Sequence, residues 1–529
     1  MSLSSRSGVT SGTVVFLLAA CGQGGRDALP RNAGDAGAIA NAADFARDGG
    51  VSGTTDACEA ARQTRSYVGC EYWPTVTPNP VWSIFDFAVV VANLGTDTAE
   101  VTISGPGGTN VSRSVAGGAT DVVTLPWVRP LKGTDASSCG TPQEWPTSVL
   151  AHGAAYHLVS SRPVVAYQFN PLEYAPQGGA PGKDWSKCPN SPLCASCFSY
   201  SNDASLLLPT PVLASIYRIS AARAPGTTVT VTATQDGTKV DFHVGKNGRL
   251  VAGGGVTAAG PGEVSSVTLD AGDVAQFFAE PNADVSGSIV SATAPVEVIV
   301  GNQCIFLPDS NTHACDHVEE VAMPAETLGK RHVVPRPPSP SGGAVTHVVR
   351  ITGNVDGTTL AYEPKVPAGC PTKLDAGESV QCTVTDTDFV VTGSSEIVVS
   401  TFLVGSEMSD PSSQRGDPSQ SFAAPVEQYR KDYVFLAPLD YDLTYAVITT
   451  PMPPPSITLD GTPVATAPTP IGASGLGVLY VPIPKSTPRH RIEAGAPVGA
   501  QIVGYGSYTS YAYPAGLDLT RIAPPPVVK

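Results

Sequence analysis

With 529 residues, the chain is too long for one compact core and has room for about three or four domains. Its 54 Gly and 49 Pro would suit a disordered chain, yet 42% of residues are hydrophobic and Val and Thr recur at alternate positions, so the turns punctuate a β protein. A formal net charge of -15 opposes phosphate backbones and anionic headgroups, which excludes nucleic acid as an expected partner.

The N-terminus carries an export signal. Arg6 precedes an apolar run over 14–20, and Leu18-Ala19-Ala20-Cys21 resembles a bacterial lipobox. The expectation is a signal peptide over 1–21 and lipidation at Cys21, so that the chain touches the membrane only through its anchor. An ordinary signal peptide cut nearby is the alternative. No later apolar run is long enough to cross a bilayer. The mature chain is then expected at the outer membrane or cell surface. Residues 22–57 are rich in Gly, Ala and Asp and predict a flexible tether, in which a short helix over 38–47 could not stand alone.

Setting Cys21 aside leaves ten of the 11 cysteines, an even number that suits an oxidising compartment. Cys58 with Cys70, Cys304 with Cys315 and Cys370 with Cys382 are near neighbours expected to staple one loop each. Cys139, Cys188, Cys194 and Cys197 leave three pairings open.

Beyond the tether, a turn followed by an alternating strand occurs four times: around Pro163-Val164-Val165, Pro295-Val296-Glu297-Val298, Glu396-Ile397-Val398-Val399 and Pro497-Val498. Pro295, Glu396 and Pro497 are evenly spaced, so a unit of about a hundred residues recurs. The first unit, 58–205, shows strands over 85–93, 99–104 and 120–125 and a cysteine-rich insertion over 126–200. The second, 206–318, shows seven short runs: 217–221, 228–234, 239–244, 264–269, 274–279, 287–291 and 296–300. Asp236-Gly237 predicts a type I′ hairpin turn and returns as Asp356-Gly357 and Asp460-Gly461. Asp270-Ala271-Gly272-Asp273 returns as Asp375-Ala376-Gly377-Glu378. The third unit, 319–418, and the fourth, 419–523, carry Pro-rich loops at 335–340 and 451–455, expected as edge or surface excursions, and 524–529 is a tail. The fold expected is all-β, in tandem immunoglobulin-like β-sandwiches, with a β-propeller of half-repeats as the alternative.

Each junction places an Asp a few residues before an apolar-Pro strand start: Asp203, Asp316 and Asp417, followed by Tyr217, His332 and Tyr433. One reading makes each Asp a turn cap. The other lets Asp203, Asp316 and Asp417 converge with Glu319 and Glu320 on a ligand or cation surface. No cofactor is expected, unless calcium binds those carboxylates.

Three segments, 202–219, 301–335 and 416–438, resemble the IgGFc-binding protein N-terminal domain family. The likeness extends over most of 84–523, and Cys304 and Cys315 followed by Asp316-His317 are its most telling part. Val321 stands where members often carry Gln, and the insertion before Asn202 is individual to this chain. The resemblance implies a secreted or surface recognition module without catalytic residues.

Catalytic constellations are sparse. No GxSxG elbow, HExxH helix or phosphate loop occurs, and the Gly-rich 472–477 reads as a turn. His313, Cys315, His317 and Cys304 could surround zinc, though a disulfide suits an exported chain better. Glu297 and Glu320 are carboxylates for glycoside hydrolysis only by elimination. Tyr505, Tyr508, Tyr511 and Tyr513 suit a final packed strand better than a sugar-stacking platform. The expected function is surface binding or adhesion, with protein or glycan as ligand. An envelope carbohydrate-active enzyme and a ligand-free structural spacer are the alternatives.

Overall fold

The computed structural model describes residues 54–136, 146–177, 179, 182–189 and 197–528. The signal peptide, Cys21, the tether up to residue 53, Cys139 and Cys194 lie outside the described residues. The first described element is a helix, Thr54–Thr64, which overlaps the end of the expected tether. Its run of Ala, Glu, Arg and Gln favours helix, and the Cys58–Cys70 disulfide ties it to the following strand, Gly69–Tyr72.

From there the architecture is predominantly β. Its plan is clearest in the second repeat, where four strands pair with one long strand, Ile289–Ile305. Ala214–Arg218 and Thr238–His243 pair with its first half, and Thr227–Ala233 and Asp316–Val321 with its second. Val264–Leu269 and Val274–Phe278 extend the two halves. The runs expected at 287–291 and 296–300 are therefore one strand. Pro295 stands at a bend rather than in a tight turn, and the pairing register shifts between Ser291 and Val296. The bend carries the strand from one layer into the other, and Val229, Val231, Phe242, Phe277, Val298 and Val300 fill the space between.

The same plan holds around His157–Asn170 and Arg489–Gly506, bent near Pro163 and Pro497. In the third repeat the strand is broken in two, Phe389–Gly393 and Ile397–Leu403. Such sheets are consistent with tandem immunoglobulin-like sandwiches. A propeller is not indicated, because its blades are meanders of consecutive strands, whereas here three of the four repeats are built about a strand shared by both layers and the third about the two halves of a broken one. The region set down as an insertion, 126–200, contains the first long strand and so is partly core.

Two of the three Asp-Gly turns depart from expectation. Thr227–Ala233 and Thr238–His243 do not pair with each other, so Asp236-Gly237 crosses between layers instead of closing a hairpin. Its Asp serves the neighbouring turn: Asp236 accepts from the Ala271 amide at 3.0 Å, and Asp270 accepts from the Gly237 amide at 2.9 Å. Asp356 and Asp375 repeat this exchange with the amides of Ala376 and Gly357. Only Asp460-Gly461 joins paired strands, and both residues have the positive φ (52° and 75°) that a type I′ turn needs.

Between its first two strands each repeat sends a connector onto its neighbour. In the first, Thr75 meets Thr232 at 2.8 Å. In the second, Ser220 lies 3.0 Å from both Thr352 and Ser400. In the third, the Pro-rich 335–340 is a packed strap rather than a surface excursion: Pro337, Pro338 and Pro340 are buried, and the hydroxyls of Tyr480, Tyr505 and Tyr445 donate to the carbonyls of Arg336, Pro338 and Ser339. The fourth returns to the first, where Asp440 accepts from the Tyr174 amide at 2.7 Å. The four repeats thus close into a ring. The second Pro-rich loop, 451–455, is at the surface as expected.

Candidate functional site

Four short closing strands line the ring's centre: Asp203–Leu206, Asp316–Val321, Gln420–Phe422 and Thr509–Pro514. Each pairs with the second half of the long strand before it. Each also packs against the closing strands of the adjacent repeats, so the four form a closed set. The junction carboxylates all lie on or beside these strands. The structure brings them together, but in the interior: Asp203, Asp316, Glu319 and Asp417 are fully buried and Glu320 nearly so. They do not form a solvent-facing surface.

Asp203 is the hub. One carboxylate oxygen accepts from the backbone amides of Glu319 and Gln420 at 3.0 and 2.9 Å, the other from Ala204 and Ala512 at 3.0 and 3.2 Å. A single side chain therefore holds strands of all three other repeats. Burial pushes this carboxyl well up, while the amide donors oppose that shift.

Glu319 has a different setting. Its carboxylate accepts from Gln168 at 2.9 Å, Ser205 at 3.2 Å and Asn170 at 3.2 Å, and from the Thr77 hydroxyl, with the His317 ring 3.4 Å away. Burial would raise it, but His317 and these donors draw it below the ordinary carboxylate range. Glu320 accepts from Ser421 at 3.2 Å and from the Val321 amide, and burial with nearby Asp203 pushes it up. Asp316 accepts from Thr509 at 2.9 Å, and Asp417 from the amides of Ala314 and Ser406. Burial raises both of the latter, and Asp417 adds to the rise of Asp316.

The remaining candidates separate cleanly. Cys304 and Cys315 form a disulfide, so neither offers zinc a thiolate, and no metal-holding group of three or more His, Cys, Asp or Glu occurs among the described residues. Cys370–Cys382 pairs as expected, and Cys188 bonds Cys197. Glu297 and Glu320 are both buried. Tyr505, Tyr511 and Tyr513 are buried, which fits a packed final strand, while Tyr508 is exposed. The sequence reading missed Gln168, Asn170, Asn202, Thr77 and Thr509. These polar residues surround the carboxylates from distant segments, and only Asn202, next to Asp203, carried a local signal.

The described family "IgGFc binding protein" matches residues 203–504. The chain belongs to this family. The match runs from the Asp203 hub to the last long strand and so takes in three of the four closing strands. A curated relative, the human IgGFc-binding protein, is 36% identical over 104 residues, which is 18% of this chain and 2% of that protein's length. No solved structure matches. Membership in this family, whose domain is non-catalytic, makes the chain a binding-type, non-enzymatic protein.

Proposed function

We propose that the chain is an exported lipoprotein, anchored through Cys21 at the outer membrane or cell surface, that recognises a protein or glycan through its inter-strand loops. Its four immunoglobulin-like units would end after Leu206, Val321 and Phe422, where the closing strands end, and near residue 523. The observation that carries the reading is the family match over 203–504. Support comes from the ring: a closed set of sandwiches tied through Asp203 is a rigid frame on which loops can vary without disturbing the core. The disulfides Cys58–Cys70, Cys304–Cys315 and Cys370–Cys382 suit an oxidising compartment. The human relative's name makes immunoglobulin Fc the first ligand to try.

The test is binding of the purified chain, disulfides intact, to immunoglobulin Fc, to mucin glycans and to intact cells of its own strain. Saturable binding to one of them is expected. Absence of saturable binding to all three overturns the recognition reading in favour of a structural spacer. Separately, Cys21→Ala should release the protein from membranes, and continued retention would overturn the anchor.

A further inference from the structure

The centre of the ring holds charge that its own hydrogen bonds leave unanswered. Asp316 begins the second closing strand, and Asp417 lies just before the third. Both are fully buried. Asp316 faces the backbone amide of Asn202 and spends Oδ2 on the Thr509 hydroxyl at 2.9 Å, and Asp417 spends Oδ1 on the amides of Ala314 and Ser406 at 3.2 and 3.3 Å. The second oxygen of each, Asp316 Oδ1 and Asp417 Oδ2, has no hydrogen-bond partner. The charged neighbours acting on the pair are themselves acidic: Asp203 and Asp417 on Asp316, Glu407 on Asp417.

Two further observations point the same way. Asn202 turns its amide nitrogen to the carbonyls of Pro171 and Glu173, 3.1 Å each, while its Oδ1 accepts from the Ser199 hydroxyl and lies 3.2 Å from Thr509 Oγ1, whose one proton is directed at Asp316. An acceptor is therefore held beside a carboxylate cluster where a donor would be favoured. The buried Tyr441 hydroxyl, whose electrostatic neighbours include Asp316 and Asp203, also has no partner. The donor atoms at this place are all oxygens. His317, next to Asp316 in sequence, turns its Nε2 toward Glu319 and Thr77 instead.

We propose that Asp316 and Asp417 hold a divalent cation of the calcium class where the four repeats meet, with Thr509 and Asn202 completing an oxygen set. Calcium takes oxygen ligands and tolerates irregular geometry, and two carboxylates balance its charge. The ligands come one from each repeat: Asn202, Asp316, Asp417 and Thr509. Binding would therefore clamp the ring shut and couple its rigidity to external calcium.

The experiment uses the purified full chain at pH 7.5. Metal content is measured by mass spectrometry after dialysis, and melting temperature is followed through chelator and calcium titrations. We expect about one calcium per chain and a melting temperature that falls with chelator and recovers with calcium. Asp316→Asn and Asp417→Asn should weaken calcium binding by at least about tenfold, whereas exposed Asp97→Asn should not. Terbium luminescence sensitised by Tyr441 gives a second readout, which Tyr441→Phe should reduce. Should both Asp variants fail to fold, the wild-type titrations decide alone. A melting temperature indifferent to chelator and calcium overturns the proposal, including the outcome in which it rises only on acidification, because the pair then shares a proton. Calcium responses retained in folded Asp316→Asn and Asp417→Asn overturn it equally.

Discussion

The hydroxyl of Tyr217 donates to the carbonyl of Val296 at 2.7 Å, and the same oxygen accepts from the Ala214 amide at 3.0 Å. Val296 follows Pro295 at the bend of the long strand, so the tyrosine pins the point where the strand changes layer. Tyr72 does the same for Val164 at 2.6 Å, and Tyr433 for Val498. The third repeat has His332 in this position, its ring nitrogens directed at the carbonyls of Ala423 (2.7 Å) and Gly329 (3.3 Å), which accept from the imidazole N–H, and there the long strand is broken. Tyr217→Phe leaves a buried carbonyl and a buried amide without their partner. A loss of about 1–3 kcal/mol is expected in urea unfolding. His332→Phe should leave the Val296 bend untouched, and a Tyr217→Phe protein as stable as wild type would show that the bend needs no pin.

Asp203 makes a sharper prediction. Asn at this site keeps the shape but places an NH2 group against backbone amides that already need an acceptor. The pairs to Glu319, Gln420, Ala204 and Ala512 cannot all survive. Asp203→Asn should cost roughly 3 kcal/mol or more, since each buried amide left without its acceptor costs about 1–3 kcal/mol. The loss should appear as lower cooperativity too, because three repeats are released together. Exposed Asp97→Asn is the control, and equal unfolding curves for the two variants would remove Asp203 from its place as hub.

Much of this scaffold was readable in the amino-acid order. Period-two runs such as Val264–Leu269 and Thr120–Leu125 fall where the strands are, because alternation is a local consequence of one buried face. The near-neighbour cysteine pairs were equally local. What failed was long-range. Nothing near Pro295 says that the residues before and after it belong to one strand, since the bend is fixed by pairing with Ala214–Arg218 and Thr227–Ala233 on opposite sides. Asp236-Gly237 has the composition of a hairpin turn, but its strands choose partners elsewhere in the repeat. Convergence of the carboxylates is only one of two readings the sequence allows, the other being separate turn caps, and their burial depends on ring closure, which brings Ala512 to Asp203 across most of the chain.

His347 is buried with no compensating acid, and burial alone depresses its imidazole to about 4. It is therefore neutral in the folded chain, and an unfolded His with a pKa of about 6.5 gains a proton first as pH falls. The sign follows from linkage: the stability this residue allows is present above about pH 6.5 and is lost as pH drops toward 4. The loss attributable to it should approach roughly 3 kcal/mol across that window. Urea unfolding of wild type and His347→Gln at half-unit pH steps checks this. The variant should show a flatter acid limb, and parallel curves would assign acid sensitivity elsewhere.

Glu297 should act in the opposite direction. It is fully buried at the start of the second half of the long strand, neither carboxyl oxygen has a hydrogen-bond partner, and it stands across from Thr232. Burial pushes its carboxyl well above the ordinary value, and nearby Glu319 adds to the rise. An acid whose folded pKa is raised favours folding while protonated. Its contribution is fully present below about pH 4.5 and is lost as pH climbs through the folded value. Glu297→Gln removes that dependence without removing volume. The variant should match wild type near pH 4 and exceed its stability at pH 8. The comparison is made by urea unfolding at fixed calcium, so that the metal proposal does not enter. A Glu297→Gln protein less stable than wild type at pH 8 would mean that the ionised carboxylate is held by a partner group, and the buried face opposite Thr232 would then be the place to look for it.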